Sequence, residues 1–227
     1  MCKFNKKSAE KLIFALQMSE MQQKKTVTGV YGGSFNPIHL GHTMMAEDLV
    51  SCGVVDEVWF VVSPQNPLKD SGLWDDEFRL RLARIAVDGK KMMMVSDVEF
   101  GMPKPNYMAN TLAVLAEQNP EREFVLIIGM DNWQTFDKWY RWQDIIRDYG
   151  ILVLPRVGAS PEDRSTKTGS QPLMQVSGDH LEKVNATPLP LRNISSTWIR
   201  RQIATNPEYN GQWLAPNVWN EIKRMKA

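Results

Sequence analysis

The chain has 227 residues, 43% hydrophobic and 23% charged, which is enough apolar material for one substantial globular domain. A formal net charge of +1 argues against a protein that holds nucleic acid through a broad basic field. The two cysteines, Cys2 and Cys52, lack metal-ligand or CxxC spacing, and no apolar run reaches the length of a membrane span, so neither a disulfide scaffold nor a membrane protein is expected.

In chain order, Met1–Lys25 is lysine-rich at both ends, has one amphipathic patch and shows no signal-peptide pattern. It is expected to be a loose or helical extension of a cytoplasmic protein. Thr26–Tyr31 is predicted as the first strand. A helix over His39–Cys52 follows, stopped by Gly53. Glu57–Val62 is a second strand. Asp75 caps a helix running to about Val87, with Asp76 and Glu77 in its first turn. Met92–Val95 is a third strand, and Met108–Gln118 is a helix ended before Pro120. The near-continuous apolar run Phe124–Ile128 is a strand of the kind buried on both faces. A short helix over Trp142–Tyr149 and a fifth strand over Gly150–Leu154 complete the alternation. Residues 155–190 are rich in Gly, Ser, Pro and charge. They are expected to form a long loop region with one short strand near Leu173–Val176. Helices over Ser196–Ala204 and Pro216–Met225 close the chain. This alternation predicts a Rossmann-like doubly wound parallel sheet with helices on both faces, forming a single α/β domain over residues 26–227.

Ligands of such sheets bind beyond the carboxyl ends of the strands. That edge holds the most informative string in the chain, Gly32-Gly33-Ser34-Phe35-Asn36-Pro37-Ile38-His39-Leu40-Gly41-His42. The two glycines let the backbone turn sharply and lie close to a ligand. His39 and His42 are two of only three histidines in the chain. At i and i+3 they share one face of a helical first turn, whose free N–H groups and dipole favour an anion. A zinc pair is the rival reading, but helical zinc motifs space their histidines i,i+4 around a Glu. A second string, Ile194-Ser195-Ser196-Thr197-Trp198-Ile199-Arg200, puts hydroxyls at a helix N-terminus and a guanidinium one turn further in. Read alone, that is either a plain cap or a phosphate clamp. Two further features fall near the same edge: Gly129-Met130-Asp131, with Trp139 eight residues on, and Pro105-Asn106-Tyr107-Met108 leading to Thr111.

Together these strings resemble the HxGH nucleotidyltransferase superfamily, and within it the nicotinate/nicotinamide mononucleotide adenylyltransferases. The resemblance implies an ATP site built from Gly32, Gly33, Ser34, Phe35, His39, His42, Lys69, Gly129, Asp131, Ser196, Thr197 and Arg200. His42, His39 and Arg200 carry the chemistry on the phosphates, and Ser195 is left to cap or pack. It implies a nicotinate mononucleotide site at Asn36, Tyr107, Met108, Thr111 and Trp139, with the indole stacked on the electron-poor pyridine ring. Lys69 keeps a family position on a Pro-rich loop. The family's His before it is Leu68 here, and its Thr after the Tyr is Met108. Arg79 is a weaker candidate for a nucleotide-phosphate contact.

The implied reaction joins ATP and nicotinate mononucleotide, giving nicotinate adenine dinucleotide and pyrophosphate in NAD biosynthesis. The mononucleotide phosphate attacks the α-phosphorus directly, and no Ser-His-Asp or Cys-His nucleophile stands out. Magnesium is expected mainly on the ATP phosphates, without a protein metal site. Nicotinamide mononucleotide or phosphopantetheine as acceptor, or a non-catalytic nucleotide-binding module, remain alternatives. No nucleic-acid or membrane partner is expected. Monomer and homo-oligomer are equally open.

Overall fold

The structure is a computed structural model that describes residues 25–64, 72–154, 170–171, 174–177, 180–183, 189–190 and 194–226. The expected extension up to residue 24, and Leu68 and Lys69, lie outside the described residues.

β1 (Thr26–Gly33) is the centre of the sheet. It pairs in parallel with β2 (Glu57–Val62) on one side and β4 (Arg122–Gly129) on the other, with Val30 opposite both Trp59 and Leu126. β3 (Met93–Ser96) lies outside β2, and β5 (Ile151–Leu154) outside β4, both parallel. The order β3-β2-β1-β4-β5 reverses direction at the β1/β4 boundary, the topological switch point where doubly wound sheets bind ligands.

The period of two in these strands sorts their side chains onto two cores. Val58, Phe60, Val62 and Ile127 face one layer, formed by α1 (Leu40–Ser51), α2 (Asp76–Val87), α6 (Ser196–Thr205) and α7 (Pro216–Lys226). Val30, Trp59, Val61 and Leu126 face the other, with α3 (Met108–Gln118) and α5 (Trp142–Asp148). Phe60, Leu82, Leu112 and Ile127 are fully buried, each contributing about 1.5–3 kcal/mol through the apolar area removed from water. Between β4 and α5 lie a single helical turn, α4 (Met130–Trp133), and a 3-10 turn, Phe136–Lys138.

The sheet departs from the expectation at one edge. β7 (Met174–Ser177) pairs antiparallel with β5, and β8 (His180–Lys183) pairs antiparallel with β7. A separate two-stranded ribbon joins β6 (Ser170–Gln171) to β9 (Leu189–Pro190). One strand was expected here. Two-residue and four-residue edge strands carry too little alternation to be distinguished from loop.

Candidate active site

A cavity of about 660 Å³ opens at the carboxyl ends of the parallel strands, between the β1–α1 turn, the start of α3, the residue 129–140 segment and the start of α6.

Its floor is the β1–α1 turn. Phe35 takes a left-handed backbone conformation, φ +40°, which is unusual for a bulky residue. Edge-on contacts of its ring with His42 (centroids 5.1 Å apart), Phe60 (5.5 Å) and Tyr31 (5.7 Å) hold it there. His39 is the N-cap of α1, and its ring stacks on that of His42, centroids 3.7 Å apart and planes 22° from parallel. Gly41 permits this packing, because a Cβ there would stand 3.0 Å from the His39 ring.

The first turn of α1 is not the open set of amides that the sequence suggested. The His39 N–H donates to His42 Nδ1 at 3.1 Å, the Leu40 N–H to the Trp213 carbonyl at 2.8 Å, and the His42 N–H to the His39 carbonyl at 2.9 Å. Both imidazoles line the cavity beside this turn. Because Nδ1 of His42 is an acceptor, the proton of the neutral ring sits on Nε2, which leaves the ring a donor.

The second motif docks on the first. Arg200 Nη1 donates to the Asn36 carbonyl at 2.6 Å, and Nη2 to Thr197 Oγ1 at 3.3 Å. Ser196 Oγ donates to the Pro37 carbonyl at 2.9 Å. Ser195 is the N-cap, its Oγ accepting from the Trp198 N–H at 3.5 Å. The Ser196 proton is thus committed to the β1–α1 turn, whereas the Thr197 hydroxyl serves Arg200 as an acceptor. Partial burial lowers the Arg200 pKa from its ordinary value.

On the opposite wall, Asp131 folds back over Gly129, where a Cβ would meet its carboxylate at 2.5 Å. The Met108 side chain lies against Gly32. Tyr107 and Tyr140, both exposed, stack at the rim with centroids 4.7 Å apart. Half-buried Trp139 rests on Phe136 at 5.2 Å and lines the same cavity.

Three expected contacts find other partners. Thr111 is wholly buried outside the cavity lining, and its hydroxyl donates to Glu99 Oε1 at 2.8 Å. Asn36 lines the cavity, but its side-chain amide is engaged by the Gly72 carbonyl (3.0 Å) and the Trp74 N–H (3.1 Å). Arg79 is 1% exposed and donates to the carbonyls of Ser34 (2.6 Å), Ser63 (2.8 Å), Pro64 (2.9 Å) and Trp74 (3.0 Å), with none of its donors aimed at a ligand. It ties the ends of β1 and β2 together. Sequence reasoning also passed over Glu99, 2% exposed on the cavity wall, whose pKa burial pushes above the ordinary glutamate range against hydrogen bonds from Thr111 and Ser63. Nothing local in Val98-Glu99-Phe100 announces it.

Fold and site define a nucleotide-binding α/β protein of the cytidylyltransferase-like class, and the cytidylyltransferase-like family model matches residues 30–202. The "Probable nicotinate-nucleotide adenylyltransferase" of Bacteroides fragilis is 42% identical over 199 residues, 87% of this chain and 92% of that protein. Its namesake from Bacteroides thetaiotaomicron is 40% identical over 207 residues, 91% and 95% of the two chains. The chain belongs to the nicotinate-nucleotide adenylyltransferase branch of the cytidylyltransferase-like family. Plasmodium falciparum nicotinic acid mononucleotide adenylyltransferase complexed with NaAD shares the fold, with a TM-score of 0.66 at 16% identity over 88% of this chain and 96% of that one. Among the described residues, no helix is long and apolar enough to cross a membrane, and no group of three or more His, Cys, Asp and Glu side chains could hold a metal ion.

Proposed function

We propose that the protein transfers the adenylyl group of ATP to nicotinate mononucleotide, giving nicotinate adenine dinucleotide and pyrophosphate. One observation carries this reading: Arg200 and Ser196 bind the main chain of Asn36 and Pro37, gathering the donors of both phosphate motifs at one cavity.

The two reacting groups are both anions, so the protein's task is to position them and to neutralise the charge that spreads over the phosphates. His42 Nε2–H donates to an oxygen of the α-phosphate. The Arg200 guanidinium, the Thr197 hydroxyl and His39 hold the β- and γ-phosphates and the departing pyrophosphate, joined by Lys69 from the loop after β2. Magnesium carried by ATP would offset further negative charge on the phosphates, with no dedicated protein ligands required.

The mononucleotide phosphate attacks in line from the other side, with its pyridine ring between Trp139 and the start of α3. Met108 lacks the family's hydroxyl. The nicotinate carboxylate therefore relies on main-chain N–H groups at the α3 N-terminus, where Tyr107 makes no side-chain cap. The exposed free thiol of Cys52 suits a reducing, cytoplasmic site of action.

The test is pyrophosphate release from ATP with nicotinate or nicotinamide mononucleotide in parallel assays. The acid is expected to win in kcat/KM. Preference for the amide overturns the acceptor assignment, and release with neither overturns adenylyl transfer.

A further inference from the structure

Among the described residues of the cavity lining, Glu99 Oε2, Asn106 Oδ1 and Trp139 Nε1 are shut off from solvent without a hydrogen-bond partner. Folded proteins seldom leave buried polar atoms unsatisfied, because each forfeits the bonds it made to water. The first two belong together. Asn106 Nδ2 donates to the main-chain carbonyl of Glu99 at 3.2 Å, which fixes the amide and leaves its oxygen unmatched. Glu99 Oε1 accepts from Thr111 Oγ1 at 2.8 Å and the Ser63 side chain also bonds the carboxyl, while Oε2 itself has no hydrogen-bond partner. Both side chains are held rigidly, Glu99 at 2% and Asn106 at 7% exposure.

We propose that Glu99 and Asn106 form a hydroxyl-recognition subsite that accepts hydrogen bonds from the ribose of a nucleotide bound in the cavity, a reading that rests on the adenylyl transfer proposed above. Asn106 Oδ1 can only accept, so it requires a donor. Phosphates and the nicotinate carboxylate offer none when ionised, and an ionised Glu99 repels them. A hydroxyl donates to Asn106 and suits Glu99 in either protonation state, giving a proton to the carboxylate or accepting one from the acid. Two acceptors on residues tied together by the Asn106 Nδ2 bond to the Glu99 carbonyl suit a group that carries two hydroxyls, as a ribose does. Thr111, which the family resemblance put in the nicotinate mononucleotide site, acts here as a positioning residue, because its hydroxyl orients the Glu99 carboxyl from behind.

The experiment is calorimetric binding of nicotinate mononucleotide, nicotinamide mononucleotide, ATP and analogues of each lacking one ribose hydroxyl, to the wild type, Glu99→Gln and Asn106→Ala. Removing the recognised hydroxyl is expected to weaken wild-type binding ~10-fold, the loss of one hydrogen bond to a charged or buried acceptor, and to weaken the variants less than ~2-fold. The nucleotide that shows this coupling identifies which ribose the subsite takes. Equal penalties in wild type and variants, for every nucleotide, overturn the proposal. So does a Glu99→Gln effect that follows the pyridine's acid or amide group instead of the sugar. Glu99→Gln keeps an acceptor for Thr111 and decides the matter alone should Asn106→Ala fail to fold. Pyrophosphate release is measured separately, and its absence counts against adenylyl transfer while the binding data still judge the subsite.

Discussion

Arg200 donates to the main-chain carbonyl of Asn36 at 2.6 Å, joining two segments 164 residues apart in the chain. The bond makes the two phosphate motifs one structure, because the same guanidinium also reaches Thr197 Oγ1 on its own helix. Lysine keeps the charge but not the planar fork that serves both acceptors. Arg200→Lys is therefore expected to lower kcat/KM for ATP at least ~10-fold, the cost of one charge-assisted hydrogen bond, with little change in melting temperature. Steady-state kinetics with ATP varied and the mononucleotide saturating checks this. An unchanged kcat/KM removes Arg200 from the site.

His42 has a structural and a chemical part to play, and they differ in size. As the third residue of α1 it accepts from the His39 N–H, a capping interaction worth ~1 kcal/mol. As a donor to a phosphate oxygen in the transition state it is worth ~10²–10³ in turnover. His42→Ala is expected to cost kcat by that factor while urea unfolding shifts by no more than the cap. Comparable small losses in both measurements would make it a capping residue alone.

Arg79 should behave in the opposite way. It supplies four main-chain carbonyls in a site only 1% exposed. Arg79→Met strips them together and is expected to destabilise the fold by ~3 kcal/mol or more, since each buried acceptor left unpaired costs ~1–3 kcal/mol. Urea unfolding reads this directly. A variant of normal stability with a raised KM for nucleotide would return Arg79 to the phosphates.

Glu99 gives stability a pH dependence of definite sign. Burial raises its folded-state pKa above the unfolded value, so the folded state binds the proton more tightly. Stability is then greatest below the unfolded pKa and declines as pH climbs from the ordinary glutamate range through the raised value. Glu99→Gln removes this titration. Its melting temperature is expected to match or exceed that of the wild type at pH 8, and the gap is expected to close at pH 4. A gap that widens toward acid pH would contradict the assignment.

The boundaries of β2, α2 and α3 were legible because their signals are local. Asp75 caps α2 through the Phe78 N–H at 2.9 Å, as its position before Asp76 and Glu77 implied. The apolar run Phe124–Ile128 lies within β4, an interior strand paired on both edges. The strings Gly32–His42 and Ile194–Arg200 stood out for the same reason, and the structure brings both to one cavity.

The positions at which the reading changed depend on approach from elsewhere. Arg79 was weighed as a charge available to a ligand, and packing made it a buried clamp. Thr111 sits one helical turn from Met108, yet the direction of α3 points its hydroxyl at Glu99 and away from the cavity. The amides of α1 were expected to be open, and the Trp213 carbonyl claimed one of them from the far end of the chain. By itself the sequence determined the alternation of strands and helices and singled out the two strings that the structure brings to one cavity, since periodicity, capping and glycine placement are short-range properties. Only the tertiary structure decided which polar groups face the cavity and which are consumed in holding it. Hydrogen-bond partners on other elements are chosen by how layers pack, and no local pattern encodes that choice.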